Sequence, residues 1–307
     1  MKKLICLLVV LIVIIVVLLI GGGFYMLNFS LASDPNRMDN DSCYRQQFKD
    51  YPESKAWVDS LRSVHALRDT FLTMPTGRRH HAFFVDKGSK RTAIVIHGWR
   101  DCAIKFFWLG RIYEQELGYN VLMPELEACG ESEGDALQMG WKDRLDVMQW
   151  LKKFKTDTLV VHGVSMGAAT TMMLSGMEMP DGIKDMRFVE DCGYTCVWDE
   201  FAEQLKEQFG LPAFPLLNVS SMLCRLCYGW SFEEASALEQ VKKCRYPMLF
   251  IHGADDTFVP TWMVYPLYEA KKGEKDIWVT EGAEHGLSYR EHKSEYIRKI
   301  KDFVNNR

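Results

Sequence analysis

The 307-residue chain has no HExxH pair to hold a catalytic zinc and no GxxxxGK(S/T) loop to cradle a phosphate, so neither a metal nor another cofactor is expected. A basic arm or stripe is also missing. With a formal charge of −4 and both signs interspersed, no nucleic-acid partner is expected. Cysteine forms no dense framework: Cys6 lies in an apolar run and the other eight are scattered. Cys224 and Cys227 have the spacing of a redox or half-zinc motif. They lack a second pair or a nearby histidine, which leaves a structural pair or two buried thiols as the expectation.

Charge is absent again from residues 4–27, a run of mostly Leu, Ile and Val preceded by Lys2 and Lys3. At about 1.5 Å per residue this run makes about 36 Å of helix, enough to cross a bilayer core of about 30 Å. The expectation is a transmembrane anchor at 1–27 and a polar juxtamembrane linker at 28–40 containing Pro35. Because both lysines precede the span, the N-terminus should be cytoplasmic and the rest extracytoplasmic, in a single-pass cell-membrane topology. The alternative is secretion after signal cleavage near Ser30 and Ala32, although the run exceeds an ordinary h-region and Phe24, Tyr25 and Phe29 suit a membrane interface. A lipid bilayer is thus the expected partner; the sequence does not specify an oligomeric state.

The rest of the chain is organised around residues 158–173, TLVVHGVSMGAATTMM. An apolar run stops at His162 and Gly163, and small residues resume behind Ser165, as in a strand, a sharp turn and a helix. Gly163 and Gly167 flank the serine so that the two backbones approach closely and the hydroxyl stands on a strained corner. The Met166 N–H, in the first helical turn, would face a developing oxyanion.

Strands are expected at 80–85, 92–97, 120–123, 186–189, 247–251 and 276–279, with helices at 106–116 and 141–154 between them. This alternation calls for a mainly parallel sheet with right-handed crossovers. Residues 41–72 read as largely helical on the spacing of Trp57, Leu61, Val64 and Leu67, with His65 a packing or surface residue. The strand ending at His97–Gly98 offers the Trp99 N–H as a second oxyanion donor, His97 orienting that loop. The loop at 124–134 carries Glu125, Glu127, Glu131 and Glu133, expected as a solvated rim.

Residues 194–239 interrupt the alternation with an aromatic-rich, largely helical excursion. Inserted between sheet strands, it should cap the site and form an apolar pocket with Trp198, Phe214, Trp230 and Phe232 as candidate lining. Asp256 follows one late strand and His285 the last, so Ser165, Asp256 and His285 fall in the chain order of a hydrolase triad. Asp191, also at a strand end, is an alternative acid.

These pieces resemble the α/β-hydrolase superfamily, in particular the bacterial serine-hydrolase group related to serine aminopeptidases and to membrane-anchored BEM46-like hydrolases. The resemblance rests on IHGWRD at 96–101, GYNVLMPELEACGESEG at 118–134, GWKDRLDVMQWL at 140–151, HGVSMGAAT at 162–170, PMLFIHGADDTFVP at 247–260 and EHG at 284–286, and covers about residues 80–303. The family pattern of histidine-glycine, two variable residues, aspartate, two variable residues and valine-proline falls on His252, Gly253, Asp256, Val259 and Pro260, which selects Asp256 over Asp255. Where relatives commonly carry Asp-x-Arg-(Gly/Ala)-His-Gly-x-Ser, this chain has Glu125 through Ser132 without the Arg and His.

The resemblance implies one α/β domain at 41–307, an eight-stranded, mostly parallel sheet with flanking helices and a helical cap at about 194–239. It also implies an acyl-enzyme on Ser165, with His285 as base and acid and Asp256 orienting it. A small acyl or lipid-like carboxylic ester is the expected substrate. Thioester or peptide cleavage by the same triad, and a non-catalytic binding protein on this fold, are the alternatives.

Overall fold

A computed structural model describes residues 1–37 and 39–305. It begins with α1 (Lys2–Leu31), the one helix among the described residues long and apolar enough to cross a membrane. Two short helices follow, α2 (Asn40–Asp50), capped by the Asp39 carboxylate on Ser42 N–H, and α3 (Glu53–Ser63). The sheet then forms from β1 (Leu67–Thr73), β2 (Arg79–Val85), β3 (Arg91–Ile96), β4 (Asn120–Pro124), β5 (Thr158–Val164), β6 (Asp185–Asp191), β7 (Met248–Gly253) and β8 (Lys275–Thr280).

The strand order is β1-β2-β4-β3-β5-β6-β7-β8. Pairing is antiparallel for β1–β2 and β2–β4 and parallel from β4 to β8. This is an α/β-hydrolase fold. The central strands are buried on both faces, which explains their unbroken apolar runs. One face is covered by α4 (Phe107–Arg111) together with α2 and α3. The other carries α5 (Asp143–Leu151), α6 (Met166–Ser175) and the cap. Between β6 and β7 the cap comprises α7 (Val197–Phe209), α8 (Leu216–Tyr228) and α9 (Ala237–Val241). Next come α10 (Val264–Ala270), α11 (Ser288–Glu291) and α12 (Lys293–Val304).

Three local readings change. Residues 67–73 are not helical but form the edge strand β1, fixed by antiparallel pairing with β2 from Leu67–Val85 to Thr73–Arg79, which leaves Arg68, Asp69, Phe71 and Thr73 exposed. The apolar helix does not stop at residue 27: it continues to Leu31, and Gly23, Leu27 and Leu31 are buried against the domain. Glu125 and Glu127 do not form a solvated rim. Both are buried, Glu125 beside His81 Nδ1 at 2.9 Å and Glu127 paired with Arg78, so this loop is bonded onto β2 and its turn.

Candidate active site

Ser165 stands between β5 and α6 with φ 59° and ψ −122°, a conformation that costs a non-glycine residue roughly 1–3 kcal/mol unless its surroundings enforce it. The surroundings do so through close backbone packing. A Cβ on Gly163 would lie 1.9 Å from the Gly167 carbonyl oxygen, and one on Gly167 would lie 2.2 Å from that of Ile96. The Ser165 N–H donates to the Asp191 carbonyl at 2.8 Å, tying the turn to the end of β6.

His285 follows β8 and faces the serine, its Nε2 2.8 Å from Ser165 Oγ. Its Nδ1 lies 2.7 Å from Asp256 Oδ2. The other Asp256 oxygen accepts the N–H groups of Phe258 and Val259 at 3.0 and 2.9 Å. Burial opposes ionisation of Asp256, but hydrogen bonds from His252 and His285 hold its carboxyl below the usual range. The two loops are joined by Asp255 N–H donating to the Ala283 carbonyl at 3.0 Å. Asp191, the alternative acid, is instead fully buried and accepts the Tyr296 hydroxyl at 2.8 Å; burial pushes its carboxyl up to about 6.

Met166 opens α6, where the first N–H groups lack intrahelical acceptors. The loop after β3 lies beside the serine: a Cβ on Gly98 would sit 3.5 Å from Ser165 Cβ, and Trp99 and Met166 both line the cleft. His97 is buried and accepts the Leu126 N–H at 3.0 Å, fastening the loop.

The cleft at Ser165 has an open volume of about 460 Å³. The cap aromatics proposed from sequence do not line it. Trp230 is buried in the cap core, donating its indole N–H to Gln138 Oε1 at 3.0 Å, and Phe214 points outward, 75% exposed. Trp198 packs on the cap core, and Phe232 reaches only a neighbouring recess. The lining comes from Phe201, Glu200 and Gln204 on the inward face of α7, from Phe258 beside the His285 ring, and from Phe29 and Ser30 of α1. Burial pushes the Glu200 carboxyl well above its ordinary range, and its Oε2 has no hydrogen-bond partner among the described residues.

Phe29 and Ser30 are the residues that a linker at 28–40 hides. Trp99 Nε1 donates to the Ser30 carbonyl at 2.8 Å, and Arg100 donates through Nε to Ala32 and through Nη2 to Phe29, at 3.0 and 2.8 Å. These bonds satisfy carbonyls that a helix C-terminus leaves open. The signal for this docking is Gly22–Gly23 inside an apolar helix: a Cβ on Gly23 would lie 2.8 Å from Leu223 Cδ1 of α8. All nine cysteines are free thiols, with Cys224 buried and Cys227 exposed rather than paired.

No family model matches the chain. The uncharacterized protein YqkD of Bacillus subtilis (strain 168) is 33% identical over 196 residues, which span 62% of this chain and 64% of that protein, less than two thirds of its length. Among solved structures, the Pyrococcus furiosus esterase Pf2001 superposes with a TM-score of 0.63 at 25% identity, covering 78% of this chain and 92% of the esterase. A puromycin-hydrolyzing peptidase of Mycobacterium tuberculosis superposes with a TM-score of 0.60 at 20% identity, covering 78% of this chain and 39% of the peptidase. A predicted CIB-like hydrolase of Thermoplasma acidophilum gives 0.53 at 20% identity over 79% of this chain and 99% of its own. The α/β-hydrolase fold is therefore common ground.

Proposed function

We propose that the chain is a membrane-anchored serine hydrolase that cleaves a carboxylic ester. The observation that carries this reading is the unbroken line from Ser165 Oγ through His285 to Asp256, at 2.8 and 2.7 Å, on the wall of an open cleft. With the proton on Nδ1 held by Asp256, His285 Nε2 accepts the Ser165 proton as Oγ bonds to the ester carbonyl carbon. The Met166 and Trp99 N–H groups hold the oxyanion. Collapse of the tetrahedral adduct breaks the bond to the alcohol oxygen, which leaves with the proton from His285. Water, deprotonated by His285, then releases the acid and restores Ser165.

The motif resemblance supports a relation to the serine aminopeptidase-like and BEM46-like groups. The free length of α1 and the lysines before it support a cell-membrane anchor with the hydrolase domain extracytoplasmic. The test is turnover of p-nitrophenyl esters of increasing acyl length, with a thioester and an aminoacyl amide alongside, by full-length protein in detergent. Ester turnover is expected, falling by about 10⁴-fold or more in Ser165→Ala. Equal turnover by the mutant, or no fluorophosphonate labelling of Ser165, would count against the nucleophile; preference for the amide or thioester would move the substrate class.

A further inference from the structure

Phe29, Ser30, Phe201 and Gln204 line both the cleft at Ser165 and a second recess beside it, which lies between α1 and the cap and is lined further by Met26, Phe209 and Leu216; the two in series mark out a corridor. Leu216 is the residue that meets α1 at Gly22, where a Cβ would lie 3.1 Å from Leu216 Cδ1. On the N-terminal side of that contact, α1 from Leu4 to Gly21 stands clear of the domain with its apolar side chains outward. That free part measures about 27 Å at 1.5 Å per residue, close to a bilayer core. Phe24 and Tyr25 on α1 and Phe209, Leu211 and Phe214 on the cap are exposed in the same part of the chain where α1 and the cap meet, with Phe29 and Phe209 ring centroids 5.4 Å apart. The end of the corridor farthest from Ser165, at Met26 and Leu216, therefore lies beside the point where the free part of α1 begins.

We propose that this corridor is an acyl-chain site and that the substrate is a long-chain carboxylic ester resident in the same bilayer as α1. The tail lies between α1 and α7–α8 while the ester carbonyl reaches Ser165. This rests on the serine-hydrolase reading and adds the substrate class and its route. A corridor walled by Met26, Phe29, Phe201, Phe209 and Leu216 matches methylene groups, because burying an apolar chain there removes it from water and headgroups alike. A soluble short ester needs only the inner cleft. The exposed aromatics beside the mouth suit the interfacial zone, where amphipathic and aromatic rings accumulate.

The test uses full-length protein in phosphatidylcholine vesicles with two probes, a pyrenyl long-chain acylglycerol and p-nitrophenyl butyrate in solution. Met26→Trp fills the corridor away from Ser165. It is expected to lower turnover of the acylglycerol about tenfold or more and to change butyrate turnover by less than about twofold, since pocket mismatch acts on the chain that must fit it. Acylglycerol in the protein's own vesicles should also be cleaved faster than the same ester on separate vesicles. Equal loss on both probes, no loss on either, or equal rates from own and separate vesicles would each overturn the bilayer route. If wild type cleaves butyrate but leaves the acylglycerol intact, this proposal alone fails. If it cleaves neither ester and Ser165 takes no fluorophosphonate, the hydrolase reading fails with it.

Discussion

The two walls of the cleft are built differently. On the sheet side, Ser165, Asp256 and His285 come from loops far apart in sequence, and each is fixed by backbone. Gly163 and Gly167 meet carbonyls with no room for a Cβ, Phe258 and Val259 N–H groups hold Asp256, and Asp255 N–H is bonded to Ala283. On the opposite side, α1 meets the cap through glycines facing the flexible ends of Leu216 and Leu223, and is bonded to the loop after β3 by two side chains, Trp99 and Arg100. Backbone positions tolerate little displacement, whereas side-chain packing adjusts by rotamer. The first wall suits chemistry that fails with small errors of geometry. The second suits a surface that shapes itself to a ligand, with the 98–100 loop as the link between them.

The sharpest way to break the first wall is Asp256→Asn, which keeps its size but removes the charge opposite His285. The expected loss in kcat on a short ester is about 10⁴-fold, with KM little changed, measured by steady-state kinetics. A loss of less than about tenfold would mean that another acid, Asp191 being the nearest by sequence reasoning, can orient the imidazole.

A matched glycine pair compares the walls directly. Gly163→Ala drives a Cβ into the Gly167 carbonyl and should cost about 3 kcal/mol or more, with the elbow distorted and activity lost. Gly23→Ala brings its Cβ within 2.8 Å of Leu223 Cδ1 and 3.2 Å of Val219 Cγ1, both side-chain atoms, with the nearest backbone atom, Ser220 N, at 3.6 Å, and should cost about 1 kcal/mol. Denaturant midpoints of the two variants, read at unchanged m-value, give the comparison. Similar costs would show that α1 is seated as rigidly as the elbow.

The same contrast governs what could be read from sequence. Ser165, Asp256 and His285 are legible because strand–turn–helix chemistry is local: an apolar run, flanking glycines and position after a strand mark each one. That Trp230 and Phe214 do not line the cleft is not legible, because hydrophobicity alone does not set the direction of side chains in the turns flanking α8; one faces the cap core and the other solvent. Phe29 and Ser30 are hidden because apolar residues alone do not mark where a bilayer-length helix begins to pack on protein; Gly22 and Gly23 are a local sign of it. Strand β1 was missed for a related reason, since an exposed edge strand carries little apolar alternation to oppose a helical reading.

The smallest expected effect concerns stability against pH, to which both walls contribute buried acids. Burial pushes the carboxyls of Asp143 and Asp146 up to about 7, Glu190 to about 8 and Asp191 to about 6, and raises Glu200 on the cap side as well. Each holds its proton when folded and releases it when unfolded, so above the ordinary carboxyl range deprotonation favours the unfolded chain. Stability is therefore recovered as pH falls through the raised values. Burial pushes His80 down to about 4 and His162 to about 3, and these act in the opposite sense, because the unfolded chain binds protons there that the folded one refuses. That opposition begins only below about pH 6.5, where free imidazoles titrate. Above about pH 6.5 only the carboxyls contribute, and below it the five raised carboxyls still outnumber the two depressed imidazoles, so the Tm of full-length protein at fixed ionic strength should climb as pH falls from about 8.5 towards the ordinary carboxyl range. Glu190→Gln, which keeps the acceptor for Gly193 N–H, should flatten the upper part of that climb. A Tm that instead falls from pH 8.5 to 6.5, or a slope unaltered by Glu190→Gln, would mean that these acids are ionised and solvated in the folded protein and that the sheet-side wall opens to water more than its packing implies.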